Sequence, residues 1–200
     1  MADTRLILAS GSPRRAEILT GLGFPFEVDS PRVDEAVRPG ESAERAASRL
    51  AAEKAAEVAG RRPGRWVLAA DTLVLLDGEI LGKPSGESDA AKMLRRLAGR
   101  EHRVVTAVRL RRKEDPGREA VEVSHVRIAP MSQEEILWYV ATREPMDKAG
   151  AYAVQGLGAR FVESVSGSYT NVMGLPARAV YRLVRDAPDP ALAGLALASP

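Results

Sequence analysis

The chain has 200 residues, 45% hydrophobic and 28% charged, a globular mix long enough to bury a core without staples. Basic and acidic groups nearly balance, 29 against 27, which argues against stable, wholesale binding to nucleic acid. Cysteine is absent, which excludes disulfides and thiol-rich zinc sites, and no stretch approaches the roughly 20 apolar residues of a membrane span.

Leu6-Ile7-Leu8-Ala9 reads as a buried strand that stops at Ser10-Gly11. It is too short and wrongly flanked for a signal peptide, so a cytoplasmic protein is expected. A helix follows over 13–22, with Ser12 as N-cap, Pro13 at the first helical position and Gly23 as the stop. The free amides and dipole of such a helix start attract anions, and Arg14 and Arg15 sit beside them. Strand, small-residue turn and basic helix start together describe a phosphate pocket, although fold punctuation alone also places Ser-Pro after strands.

Residues 24–28 return as a short strand. Residues 42–59 carry Ala43, Ala46, Ala47, Leu50, Ala51 and Val58, a helical stripe ended by Gly60. Residues 66–76 are an apolar run interrupted only at Asp71-Thr72, and Asp77-Gly78 turns that strand back onto 79–81. Ser88 is expected to cap a helix over 89–98 that Gly99 stops.

Residues 102–110 and 120–128 alternate as two antiparallel strands around a charged loop. Ser132-Gln133-Glu134-Glu135 fits a capping box for the next helix. An irregular, glycine-rich stretch runs over 144–158, followed by a strand at 160–165 and a last helix at 176–185. Interleaved helices, strands and hairpins predict an α/β fold, a mixed sheet flanked by helices. The domain spans 1–186, and 187–200 reads as an Ala/Pro/Leu tail, flexible or ordered. His102 and His125 lie outside every motif and read as structural or surface residues.

Several residues carry candidate chemistry. A carboxylate in mid-strand is costly unless paired, ligated or facing a cleft, so Asp71 is either a bulge or strand-end residue that satisfies neighbouring amides or a group that binds metal or activates water. Lys83, between Gly82 and Pro84, suits a phosphate-facing cation, and the hairpin would bring it back toward Asp71; a solvated turn lysine is the alternative. Asp34-Glu35 is ordinary loop surface unless the loop folds over Asp71, where two carboxylates suit a divalent ion. Lys54 shares the stripe of Leu50, Ala51 and Val58, which is unusual for a lysine. The 144–158 stretch is too irregular for a helix and too apolar for a linker, the pattern of a functional loop. Residues 166–176 would supply a further polar wall.

These segments, 8–15, 70–72 with 81–84, 144–156 and 166–176, resemble the Maf family of nucleotide pyrophosphatases, in the family's order and over nearly the whole chain. The resemblance implies hydrolysis of a nucleoside triphosphate between its α- and β-phosphates. It also implies the elongated, clefted mixed α/β fold of inosine triphosphate pyrophosphatases, a divalent cation (Mg²⁺, with Mn²⁺ or Co²⁺ as alternatives) and frequent homodimers. Asp71 matches the family's catalytic proton acceptor. Ser10, Arg15, Glu35, Lys54 and Lys83 match its other polar positions, with Glu35 and Asp71 toward the metal. Arg14, Thr72 and Gln155 match the positions tied to substrate choice. Ser-Pro-Arg-Arg, Asp-Thr and Ala-Tyr-x-x-Gln-Gly resemble members acting on dTTP and UTP. The alternatives are 7-methyl-GTP or modified nucleotides as substrate, or a non-enzymatic nucleotide-binding septum regulator.

Overall fold

The computed structural model describes residues 5–197. Its centre is a seven-stranded sheet in the order β2-β1-β3-β5-β6-β7, with β4 paired to β3. The strands are β1 (Leu6–Ala9), β2 (Phe26–Val28), β3 (Val67–Leu76), β4 (Glu79–Leu81), β5 (Glu101–Arg111), β6 (Arg118–Ile128) and β7 (Val162–Ser166). β1 runs parallel to both β2 and β3, whereas β4 and β7 run antiparallel to β3 and β6. The helices are α1 (Pro13–Gly21), α2 (Ala43–Arg61), α3 (Glu87–Leu97), α4 (Gln133–Ala141), α5 (Tyr169–Met173), α6 (Ala177–Arg185) and α7 (Pro190–Gly194). The expected mixed sheet flanked by helices is present.

Two compact units divide this chain. The first takes the described residues of 1–71, 106–122 and 174–200. Its core sets Ile7 and Ala9 of β1 and Val67 and Ala69 of β3 against Ala55, Val58 and Ala59 of α2. Alternate residues of each strand thus face one helix, as a period of two requires. The intervening Leu6, Leu8, Leu68 and Ala70 are fully buried as well, which explains why these strands read as unbroken apolar runs. Trp66 Nε1 donates to Asp189 Oδ2 at 3.0 Å, and Asp189 caps α7. Within the stretch read as a C-terminal tail, Pro190–Gly194 is helical, with Leu192 buried at 1% exposure. Residues 198–200 lie outside the described residues.

The second unit takes 72–105 and 123–173. Ala90, Ala91, Leu94 and Leu97 of α3 meet Ile136, Tyr139 and Val140 of α4, with Val104, Val126 and Ile128 from the sheet. The spacing along α3 is that of one helical face.

Element ends depart from the sequence reading where local chemistry competes. Gly60 lies inside α2, because buried Val58 and Ala59 and the ion pairs of Arg61 hold the last turn. The strand at 24–28 shortens to β2, starting after Pro25, which has no N–H to give a ladder. Gly86 rather than Ser88 precedes α3, and Asp89 reaches back to accept from Ser85 N at 2.9 Å. Ser132 and Glu135 do form the expected capping box on α4. The irregular 144–158 stretch is a succession of short 3-10 turns, at Glu144–Asp147, Ala149–Ala151 and Gly156–Phe161. The last of them takes the start of the strand expected at 160. The five-residue helix α5 had no periodic signal to announce it.

Candidate active site

The turn after β1 begins the site. Ser12 stands at the N-cap of α1 with extended backbone, but its side chain caps nothing. Ser10 does the local work instead, its Oγ accepting from Ser12 N at 3.1 Å. Arg15 Nη1 donates to the same Oγ at 3.3 Å, and its Nε donates to Gly174 O at 2.8 Å. Residue 174 belongs to the stretch read as a polar wall, and it meets this turn through its carbonyl. Arg15 is thereby fixed over the start of α1, whose first-turn amides suit an anion. Arg14 is half-buried in that same turn.

Asp71 sits in the middle of β3 rather than at its end. Its exposure is only 6%. Lys54, 4% exposed, enters from α2 and places Nζ 2.6 Å from Asp71 Oδ1 and 2.5 Å from Glu35 Oε1. One ammonium thus bridges a buried carboxylate and a half-exposed one. Glu35 is brought there by a loop without regular structure, and its neighbour Asp34 serves that loop by accepting from Ala36 N at 3.0 Å. Burial raises the pKa of Asp71 above the ordinary carboxylate value, and Glu35 adds to the rise while Lys54 and Arg15 oppose it. Burial likewise pulls the Arg15 guanidinium below its usual value, against the pull of Asp71 and Glu35. Ser10, Arg15, Glu35, Lys54 and Asp71 therefore form one interacting group.

The Glu35 loop is held by ion pairs that no motif above contains. Arg49 of α2 donates to both oxygens of Glu41 at 2.8 Å and to Ala36 O at 3.0 Å. Arg38 pairs with Glu53 at 3.1 Å, Arg32 N donates to Glu57 at 3.1 Å, and Asp29 takes Arg61 and Arg62 at 2.7 and 2.8 Å. The signal was available: Arg45, Arg49, Glu53, Glu57 and Arg61 recur every fourth residue on one side of the helix that carries Lys54.

The second unit carries the remaining candidates. Thr72 is half-buried on β3, and Lys83 is exposed just beyond β4. The register Val74↔Leu81 returns the chain alongside β3, and Gly150 N donates to Gly82 O at 3.0 Å, tying the lysine turn to the irregular stretch. Gln155 precedes Gly156, and its Oε1 is buried without a hydrogen-bond partner among the described residues. Among the described residues, no cluster of three or more His, Cys, Asp or Glu is placed to hold a metal. Glu35 and Asp71 supply two carboxylates, which suits a cation such as Mg²⁺ that takes its other ligands from phosphate and water.

A profile of the Maf-like protein family matches residues 5–187. The chain belongs to the Maf family. Among similar proteins, a dTTP/UTP pyrophosphatase of Symbiobacterium thermophilum is 52% identical over 172 residues, spanning 86% of this chain and 88% of that one. Another from Anaeromyxobacter sp. (strain Fw109-5) is 50% identical over 192 residues, 93% and 91% of the two chains. A third, from Geobacter sulfurreducens, is 49% identical over 178 residues, 88% and 93%. Solved structures give weaker likenesses to this Maf chain. A HAM1 protein from Coxiella burnetii has a TM-score of 0.45 at 18% identity, over 74% of this chain and 85% of that one. The Ham1 protein of Staphylococcus aureus has 0.44 at 18%, over 78% and 93%. No helix among the described residues of the Maf chain is long and apolar enough to cross a membrane.

Proposed function

We propose that this chain hydrolyses dTTP and UTP between the α- and β-phosphates, releasing the nucleoside monophosphate and pyrophosphate. The observation that carries the reading is the buried Asp71 carboxylate, bridged through Lys54 to Glu35 and facing the charge of Arg15. The names of the similar proteins supply the substrate class.

Asp71 orients the attacking water and takes its proton as oxygen bonds to the α-phosphorus. Its burial makes it a stronger base than a solvated aspartate, and Lys54 fixes its rotamer. Arg15, the hydroxyl of Ser10 and the first amides of α1 bind phosphate oxygens whose charge shifts as pyrophosphate leaves, the larger share of catalysis in such transfers. The family resemblance assigns Lys83 the role of a phosphate-facing cation. Glu35 and Asp71 are the groups that would hold a divalent ion, Mg²⁺ in the first instance, and its chemistry is to neutralise phosphate charge. Lys54 then serves both carboxylates as a spacer before substrate arrives.

The family resemblance assigns substrate choice to Arg14, Thr72 and Gln155, and Gln155 carries the chemistry to read the base. Thymine and uracil share an edge with an N3–H donor beside carbonyl acceptors, and the amide of Gln155 offers the complementary acceptor and donor. With Oε1 held toward N3 and Nε2 toward O4, cytosine would set its N3 acceptor against the buried Oε1 and its N4 amino group against Nε2. Assembly as a homodimer and residence in the cytoplasm belong to the same proposal, carried by the family match alone. Pyrophosphate release across a panel of nucleotides with Mg²⁺ tests the function. Turnover highest on dTTP and UTP supports it, and saturable binding without turnover refutes it.

A further inference from the structure

The residues around Gln155 are held far more tightly than a surface loop requires. Glu144 lies eleven positions upstream, yet its carboxylate accepts from Leu157 N at 2.9 Å, Gly158 N at 2.8 Å and Tyr139 OH at 2.8 Å. Tyr139, fully buried on α4, also accepts from Ala153 N at 3.0 Å. Two linked side chains thus bind the backbone on both sides of Gln155. Gly156 between these anchors has φ +73°, and a Cβ there would lie 2.5 Å from Glu144 Oε2. A Cβ on Gly158 would collide with the Tyr139 hydroxyl and with Ala153 O. The two glycines let the chain close onto the pair. Further upstream, Tyr152 OH meets His102 Nε2 at 2.8 Å and Tyr169 OH donates to Val154 O at 3.3 Å. Tyr152, Ala153, Val154, Leu157 and Gly158 are each tied by such a bond, while the Gln155 Oε1 is buried without a hydrogen-bond partner among the described residues.

A carboxylate accepting backbone N–H groups makes charge-assisted bonds, about twice as strong as neutral ones. Burial raises the Glu144 pKa, but the bonds from Leu157, Gly158 and Tyr139 outweigh it and the net shift is downward. Glu144 is therefore ionised and locked at neutral pH. Such a clamp fixes backbone direction rather than chemistry, on both sides of a side-chain amide whose acceptor is buried.

We propose that Glu144 and Tyr139 are positioning residues for Gln155, setting its amide for the thymine or uracil edge and so determining base selectivity. This rests on the reading of Gln155 as a base reader. Tyr139→Phe removes one hydroxyl without changing shape, and Glu144→Gln turns one acceptor into a donor that faces an N–H. The measurement is kcat and KM for dTTP, UTP and dCTP, with melting temperature recorded for each variant.

Both variants are expected to lower the dTTP-to-dCTP ratio of kcat/KM about tenfold, through a rise in KM for dTTP with kcat little changed. In the double variant Tyr139→Phe/Gln155→Ala the loss should equal that of Gln155→Ala alone, because the tyrosine acts through the glutamine. If Tyr139→Phe lowers the melting temperature but keeps the ratio, while Gln155→Ala loses it, the positioning role is overturned and the base reader stands. Additive losses in the double variant overturn it in the same way. If Gln155→Ala itself keeps the ratio, the base-reading assignment falls and takes the clamp with it.

Discussion

Lys54 Nζ stands 2.6 Å from Asp71 Oδ1, an ion pair whose two side chains are 5% and 8% exposed. An ammonium and a carboxylate withdrawn from water are each costly alone, and their attraction offsets that cost only while both are present. The pair therefore makes Asp71 available as a buried charge, and it couples the stability of this unit to its chemistry.

Removing the lysine should expose that coupling. Lys54→Met is expected to cost about 3–5 kcal/mol in urea denaturation, as for other broken buried pairs. Lys54→Met/Asp71→Asn should recover part of that loss, because no charge is then left buried at this place. Equal stability of the single and double variants would show that the pair does not set the energy of this site.

Arg49 touches none of the reacting groups but holds the loop that carries Glu35, through Glu41 and Ala36. Arg49→Met should lower kcat/KM on dTTP about tenfold, the scale of a modest misplacement. The Mg²⁺ concentration for half-maximal activity should rise with it. An unchanged Mg²⁺ dependence would detach the loop from the metal.

Much of this site was legible before the fold was known, for physical reasons. A buried strand must be apolar throughout, so Asp71 stood out against β3 and its neighbours. Lys54 stood out because it shares a stripe with alanines that cover the sheet. The straps on the Glu35 loop were harder to see, since they join a helix to irregular chain and no local period links their two ends. Ser12 does stand at the N-cap of α1, but its side chain accepts no first-turn amide, and its own N–H is taken by Ser10 Oγ. Glu144 was placed in a functional loop, but its role needs a fold that carries 157 and 158 back to it.

His102 gives a pH dependence. It is 3% exposed, and burial lowers its pKa from 6.5 to about 4. Between those values the unfolded chain holds a proton that the folded chain refuses, so stability rises with pH across that window. The contribution is complete above about pH 6.5 and drains as pH falls toward about 4, by roughly 3 kcal/mol in all. Urea denaturation of His102→Gln at several pH values should show a flatter dependence than the wild type. Parallel curves would contradict the assignment.

The central claim is attack at the α-phosphorus with Asp71 as proton acceptor, and ³¹P NMR of dTTP with Mg²⁺ in ¹⁸O-labelled water reads it directly, because the label then enters dTMP and not pyrophosphate. The wild-type chain should give pyrophosphate and dTMP in equal amounts. Asp71→Asn, folded and with Lys54 still paired to Glu35, should be slower by a factor on the order of 10²–10⁴. Orthophosphate with dTDP as the products, or an Asp71→Asn rate close to wild type, would contradict the account.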